Sequence, residues 1–279
     1  MNKLLFTYLF GLMVFTACQE DFIEDISSVQ EIVLSVEGSE MASCPSTKVS
    51  AVTSVPSSLY FAGTTGTSTQ TSKWAPSSSP KAVSSGKIST GYYQTATPTA
   101  YNYYLASKAM TFTSAGCTIS ASGLYDDVVV GIAKGSKSAT PSVKLKHIFA
   151  RTGSVDVSTS TGYTISDLYV YIESNSGAGQ GGTYNIYTGT WSNITSRTYT
   201  SLSSSSDRYL IPGSYKITVF CTRTKGNYSD SFSGSTDITL YEGYINNISI
   251  SLTGDPAIPI QATTNITPWG TTTLTGTPS

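Results

Sequence analysis

The stretch Tyr209-Leu210-Ile211-Pro212-Gly213-Ser214-Tyr215-Lys216-Ile217-Thr218-Val219-Phe220-Cys221 decides how the rest of the chain is read. Its first part ends at Pro212-Gly213. Beyond them Tyr215, Ile217, Val219 and Cys221 fall on one side of an extended chain, with Lys216, Thr218 and Phe220 on the other. Period two is the mark of a strand with one buried face. Cys221 accordingly reads as a small core residue.

The same period returns on either side of this stretch. Ile32, Leu34 and Val36 alternate within Glu31 to Glu37, and Val143, Leu145, His147 and Phe149 share a face opposite Lys144 and Lys146. Ile165 opens a run in which Leu168, Val170 and Ile172 alternate with Tyr169 and Tyr171; Ile248, Ile250 and Leu252 do so against Asn247, Ser249 and Ser251. Turn-forming clusters at Gly177 to Gly182, Ser203 to Asp207 and Lys225 to Asn227 separate the runs. No stretch carries a helical period. Many short strands at this spacing predict an all-β chain of sandwiches or barrels. Residues 62–100, rich in Ser, Thr, Gly and Pro, predict long surface loops with a few strands. The 279 residues suffice for one large or two ordinary domains, with a boundary expected near residues 140 to 150.

The first residues describe export. Met1-Asn2-Lys3 is followed by an apolar run from Leu4 to Phe15, small residues and Cys18, the layout of a secretory signal over residues 1–17. The run is shorter than the roughly 20 residues that span a bilayer. Phe15-Thr16-Ala17-Cys18 resembles a bacterial lipobox, with Phe15 and Thr16 in place of the usual Leu and Ala or Ser. Cys18 is then the first mature residue and the site of lipid attachment, palmitate included. An ordinary signal cut beside a cysteine is the alternative. One acyl chain binds a membrane marginally, at about 0.8 kcal/mol per buried CH₂, whereas a triacylated cysteine holds it effectively permanently. Gln19-Glu20-Asp21, with Glu24 and Asp25, makes residues 18–28 an acidic tether. It resembles the signal that carries lipoproteins to the outer face of the outer membrane; otherwise it is a solvated charge cluster.

Composition removes several functions. Only 12% of residues are charged and the net charge is −1, so no basic stripe exists to neutralise nucleic-acid phosphates. Ser- and Thr-rich composition can signal disorder, but 39% hydrophobic residues in strand patterns predict folding instead. With Cys18 lipidated, Cys44, Cys117 and Cys221 remain, allowing at most one intramolecular disulfide, for which Cys117 and Cys221 are the pair considered. No Cys-x-x-Cys or Cys/His pairing suggests a metal, and no motif suggests a cofactor. His147 is the single histidine, in a strand pattern with apolar neighbours, and reads as a hydrogen-bonded structural residue. Ser84-Ser85-Gly86-Lys87 has the Ser-x-x-Lys spacing of penicillin-recognising enzymes without the helix start that chemistry needs. Asp126-Asp127 offers half a carboxylate pair or calcium ligands, or simply a turn. The chain reads as a non-enzyme.

Several segments resemble one family, the fimbrillin-like lipoproteins of Bacteroidales that build type V fimbriae. They are Leu59 to Ala62, Tyr101 to Ala106, Asp127 to Ala133, Val143 to Arg151, Tyr209 to Tyr215, then Gly243, Asn246 and Ile248, and Ile266-Thr267-Pro268-Trp269. The resemblance runs over nearly the whole chain in the order of these short motifs. It implies two tandem transthyretin-like β-sandwich domains, residues 29–142 and 143–279. It also implies a structural and adhesive subunit of a fimbrium, or pilus, acting in cell adhesion, whose partners are other fimbrial subunits. The outer-membrane lipid holding Cys18 and a ligand on a host or bacterial surface are further partners.

Such subunits join by strand donation, in which ladder hydrogen bonds give affinity and alternate side chains fill pockets. A protease first removes the leader. Lys48 in Pro45-Ser46-Thr47-Lys48-Val49 is the candidate cleavage site, leaving Val49 as the new terminus; no arginine precedes Arg151. The candidate donor is residues 256–269, where Ile258, Ile260, Ala262, Thr264 and Ile266 share a face. Pairing of this segment within its own domain is the alternative. The rival function is a glycan-binding surface lipoprotein of a polysaccharide-uptake system. Its aromatic platform would draw on Tyr92, Tyr93, Tyr101, Tyr103 and Tyr104, or on Trp74 and Trp191. Cross-strand packing is the other use for those rings.

Overall fold

The computed structural model describes residues 29–38, 55–95, 99–123, 126–160, 162–198, 200–202, 208–253 and 260–268. Cys18, Cys44, Lys48, Val49 and Ile258 lie outside these residues. The first half supplies β1 (Val29–Glu37), β2 (Ser58–Thr65), β3 (Ser72–Trp74), β4 (Lys81–Ala82), β5 (Lys87–Thr95), β6 (Tyr101–Ala106), β7 (Thr111–Thr113), β8 (Gly116–Ser122), β9 (Val129–Ser136) and β10 (Ser142–His147). The second half supplies β11 (Ala150–Thr159), β12 (Thr164–Ser174), β13 (Gly181–Asn185), β14 (Thr190–Thr195), β15 (Thr200–Ser201), β16 (Arg208–Leu210), β17 (Gly213–Lys225), β18 (Tyr228–Leu240), β19 (Tyr244–Leu252) and β20 (Ile260–Pro268). The described residues contain strands and no helix, so none is long and apolar enough to cross a membrane as a helix. The all-β expectation holds.

Four sheets result. An eight-stranded sheet runs β3-β2-β6-β9-β10-β1-β5, with β4 also paired to β2. Its middle strands are covered on both faces, so all six residues of β6 are buried. A strand buried on both sides loses its polar alternation, which is why Tyr101-Asn102-Tyr103-Tyr104-Leu105-Ala106 reads as a continuous run. One face packs Leu59, Phe61, Tyr103 and Leu105 against Ile32, Leu34, Ile88, Val143 and Leu145 from the far end of the same sheet. The other packs Ala62, Tyr104, Ala106 and Val130 against Cys117, Ile119, Tyr184 and Ile186.

That second cover mixes the two halves of the chain. It is the sheet β14-β13-β8-β7, in which Gly181–Asn185 pairs antiparallel with Gly116–Ser122. Phe149 and Ile211 join the same core. Strands from both sides of residue 142 thus share this sheet. β10 pairs with β9 and, in parallel, with β1, so it belongs to the first sheet. The stretch Val143 to Arg151, expected as one strand, divides at Ile148–Phe149. Val143 and Leu145 enter one core and Phe149 the other.

The remaining sheets, β16-β11-β19-β20 and β15-β12-β17-β18, face each other across a core of Val170, Ile172, Tyr215, Ile217, Val219, Ile248, Ile250 and Leu252. Tyr215 ties this sandwich to the excursion that carries β13. Its hydroxyl donates to the Ile211 carbonyl at 2.6 Å and accepts from the Gly179 amide at 3.1 Å. Burial raises its pKa, which keeps the donor protonated. A β-bulge between Ser166 and Tyr169 breaks the alternation, so Leu168 turns outward while Val170 and Ile172 stay buried. Residues 62–100 also hold more structure than expected, since β5 is a nine-residue strand paired with β1.

Candidate functional site

β1 lies inside its sheet, antiparallel to β5 on one flank and parallel to β10 on the other. The Val33 and Ser35 amides donate to the Ala139 and Pro141 carbonyls at 2.9 and 3.0 Å; the Val36 amide donates to Gly86 at 2.7 Å. Carboxylates hold both ends. Glu31 accepts from the Ser89 hydroxyl and from the Gly91 amide, and Glu37 accepts from the Ser142 hydroxyl at 2.5 Å. Between them Ile32, Leu34 and Val36 are at most 6% exposed. Their burial is worth about 5–9 kcal/mol gross, at roughly 1.5–3 per side chain. Residues 38–57 alone link this strand to β2. The two glutamates that bracket the alternation were not singled out from sequence, although their positions at either end of the apolar triad mark its limits.

The candidate donor strand is paired at home. β20 forms a nine-residue antiparallel ladder with β19, from Leu252 opposite Ile260 to Tyr244 opposite Pro268. Among the described strands it lies at the edge of its sheet, and its inner face carries Ile260, Ala262, Thr264 and Ile266. Of these four only Ile260 is fully in the core, at 4% exposure; Ala262, Thr264 and Ile266 are half-buried. Across the seam lies β18, the edge of the opposite sheet. A groove of about 210 Å³ opens there, lined by Ser214, Asp237, Ile238, Thr239, Tyr241, Ala262 and Thr264. The Thr264 Oγ1 is buried with no hydrogen-bond partner among the described residues. An unmade bond of this kind costs about 1–3 kcal/mol.

Of the other residues singled out from sequence, most aromatic ones serve packing and the polar ones pair locally. His147 is buried and its Nδ1 meets the Asp127 carboxylate at 2.7 Å. Asp126 pairs with Lys108 at 2.6 Å, so the two aspartates point to different partners. Ser84 and Lys87 face each other across a turn in which Ser85 and Gly86 have φ of 50° and 70°. That is the geometry of a tight hairpin, not of a helix start. Tyr101, Tyr103, Tyr104 and Trp74 are buried, with the Trp74 ring stacked 5.8 Å from Tyr103. Tyr92 packs 5.5 Å from Phe61, and Trp191 lies 5.1 Å from Phe149. Of the proposed platform, Tyr93 alone stands well exposed, at 57%. Cys117 and Cys221 are free thiols in separate cores. Among the described residues no group of three or more His, Cys, Asp or Glu is placed to hold a metal ion.

No family model and no curated protein matches the chain. Solved structures do. A Parabacteroides distasonis protein named for cell adhesion is 10% identical, covers 86% of this chain and 96% of its own, and superposes with a TM-score of 0.54. A Bacteroides eggerthii protein, also named for cell adhesion, is 16% identical over 87% of this chain and 96% of its own, with a TM-score of 0.48. A fimbrilin from Porphyromonas gingivalis is 9% identical over 86% of this chain and 97% of its own, with a TM-score of 0.47. At such identities the likeness is one of fold. The chain thus shares its all-β fold, over most of its length, with the Parabacteroides distasonis structure.

Proposed function

We propose that the chain is a non-enzymatic, structural and adhesive subunit of cell-surface fimbriae that assembles by β-strand donation once its N-terminal leader is removed. The observation that carries this is the setting of β1. It is an interior strand with ladder partners on both flanks, three buried alternate side chains, and one covalent link onward through residues 38–57. Cutting at Lys48 severs that link, and departure of β1 leaves two strand edges facing an apolar slot. An open slot of this kind accepts an extended segment whose side chains repeat every second residue. The Ile258, Ile260, Ala262 series at the C-terminal end has that repeat. In the described chain β20 is paired with β19, so donation begins with its release.

Until the cut, a lipidated Cys18 holds the subunit at the outer face of the outer membrane. Afterwards the subunit passes into the fimbrium. The test is digestion of the purified chain with a lysine-specific protease, followed by N-terminal sequencing and electrophoresis without heating. Val49 as the new terminus, together with a ladder of multimers, supports the reading. Cleavage at Lys48 that leaves only monomers, or a chain that resists cleavage there, overturns it.

A further inference from the structure

Resting on the strand-donation reading, we infer that β20 is a deliberately weak member of its own sheet, poised to leave through a packing defect at Ala262 and Thr264. Three features coincide on its inner face. Ile260 closes tightly, since its Cγ2 lies 3.0 Å from where a Cβ on Gly234 would stand. Two residues further along the strand Ala262 is small and only half-buried, and Thr264 brings a buried hydroxyl with no partner among the described residues. The groove of about 210 Å³ lies beside those two residues.

Its ladder partner β19 lacks this pattern. On β19 the inward Ile248, Ile250 and Leu252 are each at most 1% exposed. Among the described residues β20 is also hydrogen-bonded along one flank only, because it pairs with β19 and not with β18. A strand anchored by one fully buried residue, on one ladder, opens at lower cost than β19, which is paired on both flanks. The defect therefore sets the population of released donor, and with it the rate at which subunits join. Moved into a slot shaped for Ile32, Leu34 and Val36, the same segment meets both flanks of a ladder.

The experiment is amide hydrogen exchange on the full chain, comparing wild type with Thr264→Val. Valine keeps the shape of threonine and removes the orphaned hydroxyl. The wild-type amides of β20 are expected to exchange at least about tenfold faster than those of β19 and β17, with Thr264→Val slowing β20 by about tenfold. The rate of multimer ladder formation after lysine-specific cleavage should fall in step. Wild-type β20 amides as protected as those of β19 overturn the inference, as does a Thr264→Val chain with unchanged β20 exchange. A chain whose β20 exchange responds while no variant ever forms ladders supports the weak strand and overturns donation itself.

Discussion

Phe149 and Trp191 meet at 5.1 Å between ring centroids, and through that contact a hairpin from the second half of the chain closes the core of the first. Trp191 lies on β14, which with β13 extends the sheet begun by β7 and β8. Tyr184, Ile186 and Ile211 enter the same core, and all three are at most 4% exposed. A fragment ending at His147 lacks Ile148, Phe149 and these three residues, leaving one face of the middle strands open. Such a fragment is expected to give no cooperative melting transition and no near-ultraviolet circular dichroism. In the full chain Trp191→Ala should cost about 3 kcal/mol, the low end for an aromatic truncation because the ring is half-buried. A fragment of residues 29–147 that melts cooperatively would show that the halves fold separately.

Gly234 and Ile260 define the tight end of the seam between β18 and β20. A side chain at position 234 would meet Ile260 Cγ2 at 3.0 Å and the Phe232 ring at 3.0 Å. Gly234→Val should therefore overpack the seam, at about 1–3 kcal/mol, and displace β20 before any other strand. Limited proteolysis reads this as faster cutting in residues 253–268, with the β17–β18 hairpin still intact. Unchanged cutting there would mean that the seam relaxes elsewhere.

Cys117 and Cys221 occupy different cores, so no disulfide joins them. Burial pushes the Cys117 thiol up to about 12 and raises that of Cys221 as well. A thiol held protonated by burial is a poor nucleophile. Iodoacetamide at about pH 8 should leave Cys117 unmodified in the native chain and alkylate it in concentrated guanidinium. Peptide mass mapping checks both statements, and a linked Cys117–Cys221 peptide would refute the first.

The strands that were legible in sequence are those with one wet face. Tyr215, Ile217, Val219 and Cys221 are all buried as their spacing implies, as are Ile248, Ile250 and Leu252. Period two fails where geometry intervenes. The bulge at Ser166–Tyr169 turned Leu168 outward, and the turn at Ile148–Phe149 sent one apparent strand into two cores. Neither event has a local signature, because a bulge is fixed by the partner strand as much as by its own residues. The crossing of β13 into the first half was illegible for a related reason. Gly181-Gly182-Thr183-Tyr184-Asn185 carries no mark of which sheet it will join, and long-range pairing is decided by surfaces distant in sequence. At the candidate assembly site the apolar face of β20 was readable to the residue, but the seam beneath it depends on Gly234 and Thr239 from another strand.

Arg223 and Asp230 face each other near the far end of the β17–β18 hairpin, with Nη2 to Oδ2 at 2.6 Å and Nε to Oδ1 at 3.2 Å. This two-point contact lowers the Asp230 pKa, chiefly through the hydrogen bonds from Arg223 and then through its charge. The folded carboxyl thus titrates below its unfolded value of roughly 3.9, so its stabilisation is fully present above that pH. It is lost as the pH falls through the folded pKa. The Arg223 guanidinium also lies 4.5 Å from the centre of the Phe232 ring, so the pair steadies a residue of the main core. Asp230→Asn should melt below wild type at neutral pH, with the two melting temperatures converging as the pH falls through the lowered pKa of the folded Asp230 carboxyl. Melting curves across that range check it. A gap between wild type and variant that stays constant down to the lowest pH would mean that the carboxylate's charge adds nothing to the hairpin.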